Sequence, residues 1–289
     1  MTTTRPATAL AAVRVPERSI VADLRAIRIV WQRDIIRFLH ERSRIAASLL
    51  SPLLYLLVFG AGLTPIISDA VSGIDFRQFM FSGMLVMTVL YTGMFSAGSI
   101  VFDREFGFLR EMLVAPVRRG AIVLGKCLSG ATIATSQGIV VIGFAGLVGV
   151  PYHPVLILTL VAELLLLSFS LTALGVMMAT LTKGGPTFMA VSQLFLMPLF
   201  FLSGALFPLG GLPSWLQLLT RLNPLTYAVD PMRDAVFGYL DVSPEAAAAF
   251  NPGVSWFGWH VPVALELAIV AVMGAGMLVV GARQFNREE

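Results

Sequence analysis

Charge is scarce in this sequence. Of its 289 residues, 13% are Asp, Glu, Lys or Arg, against about 25% in a soluble globular domain. Hydrophobic residues make up 57% and the mean hydropathy is +0.83, so the composition is that of an integral membrane protein and excludes a soluble enzyme. Cysteine is nearly missing. Cys127 stands alone, which excludes an internal disulfide and a thiolate metal centre, and His40, His153 and His260 fall in separate segments, so no metal site is signalled. A nucleotide-binding loop is missing as well. The run GAIVLGKC at 120–127 almost spells G-x-x-x-x-G-K-[ST], but its interior is bulky and apolar, Arg118 and Arg119 precede it and Cys127 replaces the magnesium-binding hydroxyl. Lys126 is expected to snorkel to the membrane interface instead. If the protein uses ATP, another chain must bind it.

Long apolar runs are what the sequence does have. Six windows of about 20 residues are nearly free of charge and long enough, at about 1.5 Å per residue, to cross about 30 Å of hydrocarbon. They lie at 45–67, 79–101, 123–149, 155–181, 187–207 and 261–281. Helices are expected for all six, because they satisfy their own backbone in lipid and the runs lack barrel alternation. The fold class read here is an all-α integral membrane protein with six transmembrane helices. Seventeen of the twenty Lys and Arg residues fall on one side of this arrangement, and only Arg77, Arg221 and Arg233 on the other. That bias places both termini in the cytoplasm. The polar, Arg-rich stretch before the first run does not have the form of a cleavable signal peptide.

Three connecting regions carry pattern. Residues 1–19 read as a disordered cytoplasmic tail, followed at 20–44 by an amphipathic interfacial helix with Leu24, Ile27, Trp31, Ile35 and Phe38 on one stripe and arginines elsewhere. This helix can anchor the first span or contact a cytoplasmic partner. Within the transmembrane domain at 45–289, the segment DREFGFLREMLVAPVRRG forms a second amphipathic helix over 103–116, capped by Asp103 and ended by Pro116. Its mixed charges suit docking on protein better than attraction to anionic lipid. The segment 203–260 is too polar to span and too apolar for a free loop, and reads as short outer re-entrant helices. Asn223 with Pro224, and again Asp230 with Pro231, are helix-start signals, and Gly238 is a stop. Trp215, Tyr227, Trp256 and Trp259 are expected at the outer interface.

Glu163 and Glu266 are the two carboxylates inside the runs. With Gln137 and Gln193 they are candidates for a substrate pathway or a proton site, although each can equally be a structural partner between helices. The small residues Gly125, Ser129, Thr132, Ser136 and Gly143 read as a packing face, and Pro198 as a kink.

The order of these parts resembles the permease subunit of a type-2 ABC exporter, and most nearly the branch of daunorubicin-resistance and nodulation-factor export permeases. The resemblance rests on the coupling-helix region at 102–120 and on LNPLTYAVDPMRDAVFG at 222–238, where Asn223, Pro224, Tyr227, Asp230 and Arg233 stand in the family's signature positions. It implies a chain that is not itself an enzyme and binds no cofactor, with ATP and Mg held by a separate ATP-binding subunit present in two copies. It also implies a second permease chain, identical or closely related, membrane lipid around both, and an amphiphilic substrate such as a drug, lipid or glycolipid; no nucleic acid is expected. The setting implied is the plasma membrane of a prokaryote. Glu105, Phe106, Leu109, Glu111 and Leu113 would couple to the ATPase. A proton-coupled secondary transporter using Glu163 and Glu266 is the alternative.

Overall fold

The computed structural model describes residues 19–68, 75–107, 117–241, 243–256 and 258–285, and the chain is mostly helical. α1 (Ile20–His40) starts where Ser19 accepts from the Ala22 amide, a side-chain cap. α2 (Arg42–Ser68) follows almost without a break, then α3 (Phe76–Ala97), capped by Asp75, and the short α4 (Ser99–Glu105). α5 (Arg119–Ile142) leads through a 3-10 turn (Ala145–Val148) to α6 (Pro154–Leu181) and α7 (Gly185–Phe201). The helices α8 (Ser214–Leu222), α9 (Thr226–Phe237) and α10 (Pro244–Phe250) precede the last long helix, α11 (Val263–Phe285). Among the described residues, three helical stretches are long and apolar enough to cross a membrane: Phe76–Glu105, Pro154–Leu181 and Val263–Phe285.

α3 is the centre of the bundle. Phe79, Phe81, Met84, Leu85, Leu90 and Met94 are fully buried on it, and α2, α5 and α6 pack around it. α11 lies along α6, and Gly274 allows the close approach, since a Cβ there would stand 2.4 Å from the Ser170 hydroxyl. α1 packs lengthwise on α5. Its seat is the small-residue face read from the sequence: a Cβ at Gly125 would meet the Ile27 carbonyl at 3.1 Å, and the Trp31 indole donates to Thr132 Oγ1 at 3.0 Å. The buried stripe of α1 is Asp23, Val30, Asp34 and Phe38, so two aspartates share it with the apolar residues, while Leu24 is exposed.

Several local readings are corrected. Asp230 and Pro231 do not start a helix; they lie inside α9, which runs unbroken from Thr226 and ends at Gly238 as expected. Proline there removes one amide donor, and the helix persists because its buried face packs against α3, α6 and α11. Asn223 ends α8 and also caps the turn that leads into α9, as expected, its Oδ1 accepting from the Leu225 amide and its carbonyl from the Thr226 amide. A small antiparallel hairpin pairs Ser255 with His260 and Trp256 with Trp259; strands of two residues are too short to show alternation. Asp103 does not cap a new helix, because it lies within α4 with its carboxylate buried.

Candidate functional site

The first candidate site is a cavity of about 770 Å³ that runs from the α4 end of α3 to its middle. Its wall combines aromatic and thioether groups (Tyr55, Met87, Tyr91, Phe95, Phe102) with hydroxyls from α2, α3, α4 and α5. Gln137 of α5 lines it, with Oε1 accepting from Thr92 Oγ1 at 2.9 Å and Nε2 left without an acceptor. Gln193 of α7 is exposed and neighbours Tyr91 of the cavity wall. The volume falls in the range of small-molecule sites, about 300–1,000 Å³.

The cavity's charged end is built on a buried ion cluster. Lys126 is 3% exposed and donates to Asp103 Oδ2 at 2.6 Å, to Asp34 and to Ser99 Oγ at 3.0 Å. Arg33 reaches the same Asp103 oxygen at 2.8 Å and also Asp34, and Ser129 donates to Asp34. Lys126 therefore does not snorkel. A lone buried ammonium would carry a desolvation cost of several kcal/mol, and two carboxylates together with Arg33 make its burial tolerable. Half-burial works against the charge of Arg33, yet the neighbouring Asp34 and Asp103 carboxylates outweigh it and raise its pKa. One cluster thus joins α1, α4 and α5. Sequence reading missed it, although the test applied to Glu163, an ionisable group inside a long apolar run, would have picked out Lys126.

The α4 end also holds part of the region read as a coupling helix. Glu105 accepts from the Gly185 amide at 2.8 Å, placing a carboxylate at the start of α7 where the helix dipole favours it. Arg104 donates to the Thr182 carbonyl. Phe106 is 70% exposed. Leu109, Glu111 and Leu113 lie outside the described residues.

At the opposite end of α3 the signature residues fasten the 203–260 segment. Asn223 Nδ2 donates to the Leu199 carbonyl at 2.7 Å, closing the last turn of α7. Tyr227 is buried in the protein, donating to the Arg221 carbonyl and accepting from the Trp256 indole; Trp215 and Trp259 are exposed. Asp230 accepts from the Val254 amide at 2.9 Å. Arg233 donates to the Gly204 carbonyl and lies 3.9 Å above the Phe79 ring. Pro224 lines a small apolar cleft together with Leu199 and Leu225.

Glu163 and Glu266 are at this end as well. Both are buried and neighbour the carboxylates of α9, Glu163 beside Asp234 and Glu266 beside Asp230 and Asp234. Oε2 of Glu163 and both oxygens of Glu266 have no donor. The pathway candidates therefore separate: Gln137 lines the cavity and Gln193 does not, while Glu163 and Glu266 belong to a carboxyl cluster that does not line it either. Among the described residues no group of His, Cys, Asp and Glu is arranged to hold a metal.

Residues 25–237, which include the cavity, the ion cluster and the signature, match the family model described as ABC-2 type transporter. The chain belongs to the ABC-2 type transporter family. It is 32% identical to the putative transport permease ycf38 of Cyanophora paradoxa over 211 residues, 71% of this chain and 72% of that protein. It is 30% identical to nodulation protein J of Rhizobium leguminosarum bv. trifolii, covering 73% of this chain and 80% of the relative. The inner membrane transport permease YadH of Escherichia coli K12 is 29% identical over 75% of this chain and 85% of its own length. An ABC-2 membership makes the chain a membrane permease subunit of an ABC transporter, working with an ATP-binding subunit.

Proposed function

We propose that this permease moves an amphiphilic molecule out of the cytoplasm or inner leaflet by alternating access, driven by ATP hydrolysis on its partner subunits. In this reading α2, α3, α5, α6, α7 and α11 are six spans, both termini are cytoplasmic in the plasma membrane of a prokaryote, and 203–260 is an outer re-entrant segment. Two copies of the permease, identical or closely related, pair with two ATP-binding subunits. The segment 103–116 is the lever, with Glu105, Phe106, Leu109, Glu111 and Leu113 as its contact residues.

The observation that carries the reading is the position of the cavity. Its charged end is built on the ion cluster that holds α4 to α1 and α5, so a push on the segment following α4 acts on the wall of the cavity directly. Alternating access then needs only differential binding of nucleotide to two arrangements of this end. A proton-coupled carrier would draw on Glu163 and Glu266, and their separation from the cavity speaks against it.

The test is to replace Phe106, Leu109 and Glu111 together by alanine and to co-express the variant with the ATP-binding subunit. Substrate-stimulated ATP hydrolysis should fall while the complex stays in the membrane. Full stimulation in the triple variant would defeat the assignment of the lever.

A further inference from the structure

The short helix α4 holds two sides of the cavity at once. Residues two apart in a helix point to nearly opposite sides, and Asp103 and Glu105 are such a pair. Asp103 accepts from Lys126 of α5 at 2.6 Å and from Arg33 of α1 at 2.8 Å. Glu105 turns the other way. It accepts from the Gly185 amide of α7 at 2.8 Å, and both its oxygens lie beside that residue. Arg104 donates to the Thr182 carbonyl, in the turn between α6 and α7. Phe102 falls on the face between Asp103 and Glu105 and lines the cavity.

A second contact fixes the same end of α7. A Cβ on Gly98, the residue between α3 and α4, would stand 2.9 Å from the Phe188 ring, so this fully buried ring packs on bare backbone. The next residue, Met189, lines the cavity. Across from it, Asp34 and Arg37 of α1 and Ser129 and Ile133 of α5 form the other wall. α7 rests mainly on α3, α4 and α6 rather than on α1 or α5. The two walls can therefore shift against each other when α4 is displaced.

We propose that α4 is the yoke of the transport cycle and that Glu105 and Arg104 are its positioning residues on the α7 side. Displacement of the segment after α4 passes through them to α7, which moves against α1 and α5 across the cavity. This rests on the exporter reading above and adds a second moving wall to the one reached through the ion cluster. Within the lever, Glu105 acts by its bond to Gly185.

The experiment uses the full permease and its ATP-binding subunit in sealed vesicles, with a fluorescent amphiphile as probe, and reads the amount of probe moved per ATP hydrolysed. In Glu105→Ala this ratio should fall about threefold or more, the weight of one hydrogen bond. In Glu105→Gln it should stay near the wild-type value, because the amide oxygen still accepts from Gly185. A second readout follows α7 itself. Met189 is 39% exposed, while the native Cys127 is buried, so Met189→Cys gives a single reachable thiol in the cavity wall. Its alkylation rate by N-ethylmaleimide should change about threefold or more on adding ATP, and should lose that response when Glu105→Ala is added. An unchanged ratio in Glu105→Ala would overturn the proposal. Equal losses in Glu105→Gln and Glu105→Ala would do so too, marking a residue whose charge meets the ATP-binding subunit. A Met189→Cys response that survives Glu105→Ala would also overturn it. Should the wild type move no probe with ATP, the exporter reading fails by itself, and a nucleotide response at Met189→Cys that depends on Glu105 would still uphold the yoke.

Discussion

The two ends of α3 solve the same physical problem in opposite ways. At the α4 end, Lys126 and Arg33 face Asp34 and Asp103, and the carboxylates accept from named donors. At the other end Glu163, Asp230, Asp234 and Glu266 gather with Arg233 near Asp230, and among the described residues three of their carboxyl oxygens have no donor. Matched charges make a fixed joint, because removing any one member leaves the others buried and alone. Unmatched carboxyls make a loosely determined one. The end with matched charges is also the end where the proposed lever meets the cavity, and force transmitted through a joint requires that joint to hold.

The sharpest way to break this comparison is to remove charge at each end and compare signs. Lys126→Met should destabilise the permease by about 3–5 kcal/mol, since it leaves Asp34 and Asp103 buried against Arg33 alone. Thermal unfolding in detergent measures it, and adding Asp34→Asn should recover part of the loss. Glu266→Gln should act the other way. It turns an oxygen without a donor into an amide that can donate to Asp230, and the melting temperature should rise by the equivalent of about 1 kcal/mol. A fall comparable to that of Lys126→Met would show that the carboxyl cluster is as tightly determined as the ion cluster. The smallest effect is expected at Glu105→Gln, which keeps the hydrogen bond to the Gly185 amide but removes charge at the start of α7; about 0.5 kcal/mol or less is expected at this exposed site.

Much of the architecture was legible because it is local. The apolar runs at 45–67, 155–181 and 261–281 became α2, α6 and α11, since length and composition alone fix a helix in lipid. Ser214 to Leu222 formed one of the short helices expected within 203–260, and Gly238 closed α9. What could not be read was pairing across the chain. Asp34 meets Lys126 at a separation of 92 residues and Asp103 meets Arg33 at 70, and no periodicity encodes such distances. The stripe of α1 was read from its apolar members, so Asp23 and Asp34 went unnoticed on the same face. The signature at 222–238 was recognised by its order of residues, while its physical role, clasping α7, the hairpin approach and α3 with Asn223, Asp230 and Arg233, appears only in three dimensions. The Asp230–Pro231 pair misled for a related reason: packing on α3, α6 and α11 overrides a local start signal.

The most direct test of the whole account is transport of a fluorescent amphiphile by the permease and its ATP-binding subunit, reconstituted together in sealed vesicles. ATP supplied on the face of the ATP-binding subunit should move the amphiphile across the membrane with no proton gradient present, and Lys126→Met should reduce that movement more than it reduces ATP hydrolysis. Movement driven by a proton gradient in the absence of ATP would contradict the account.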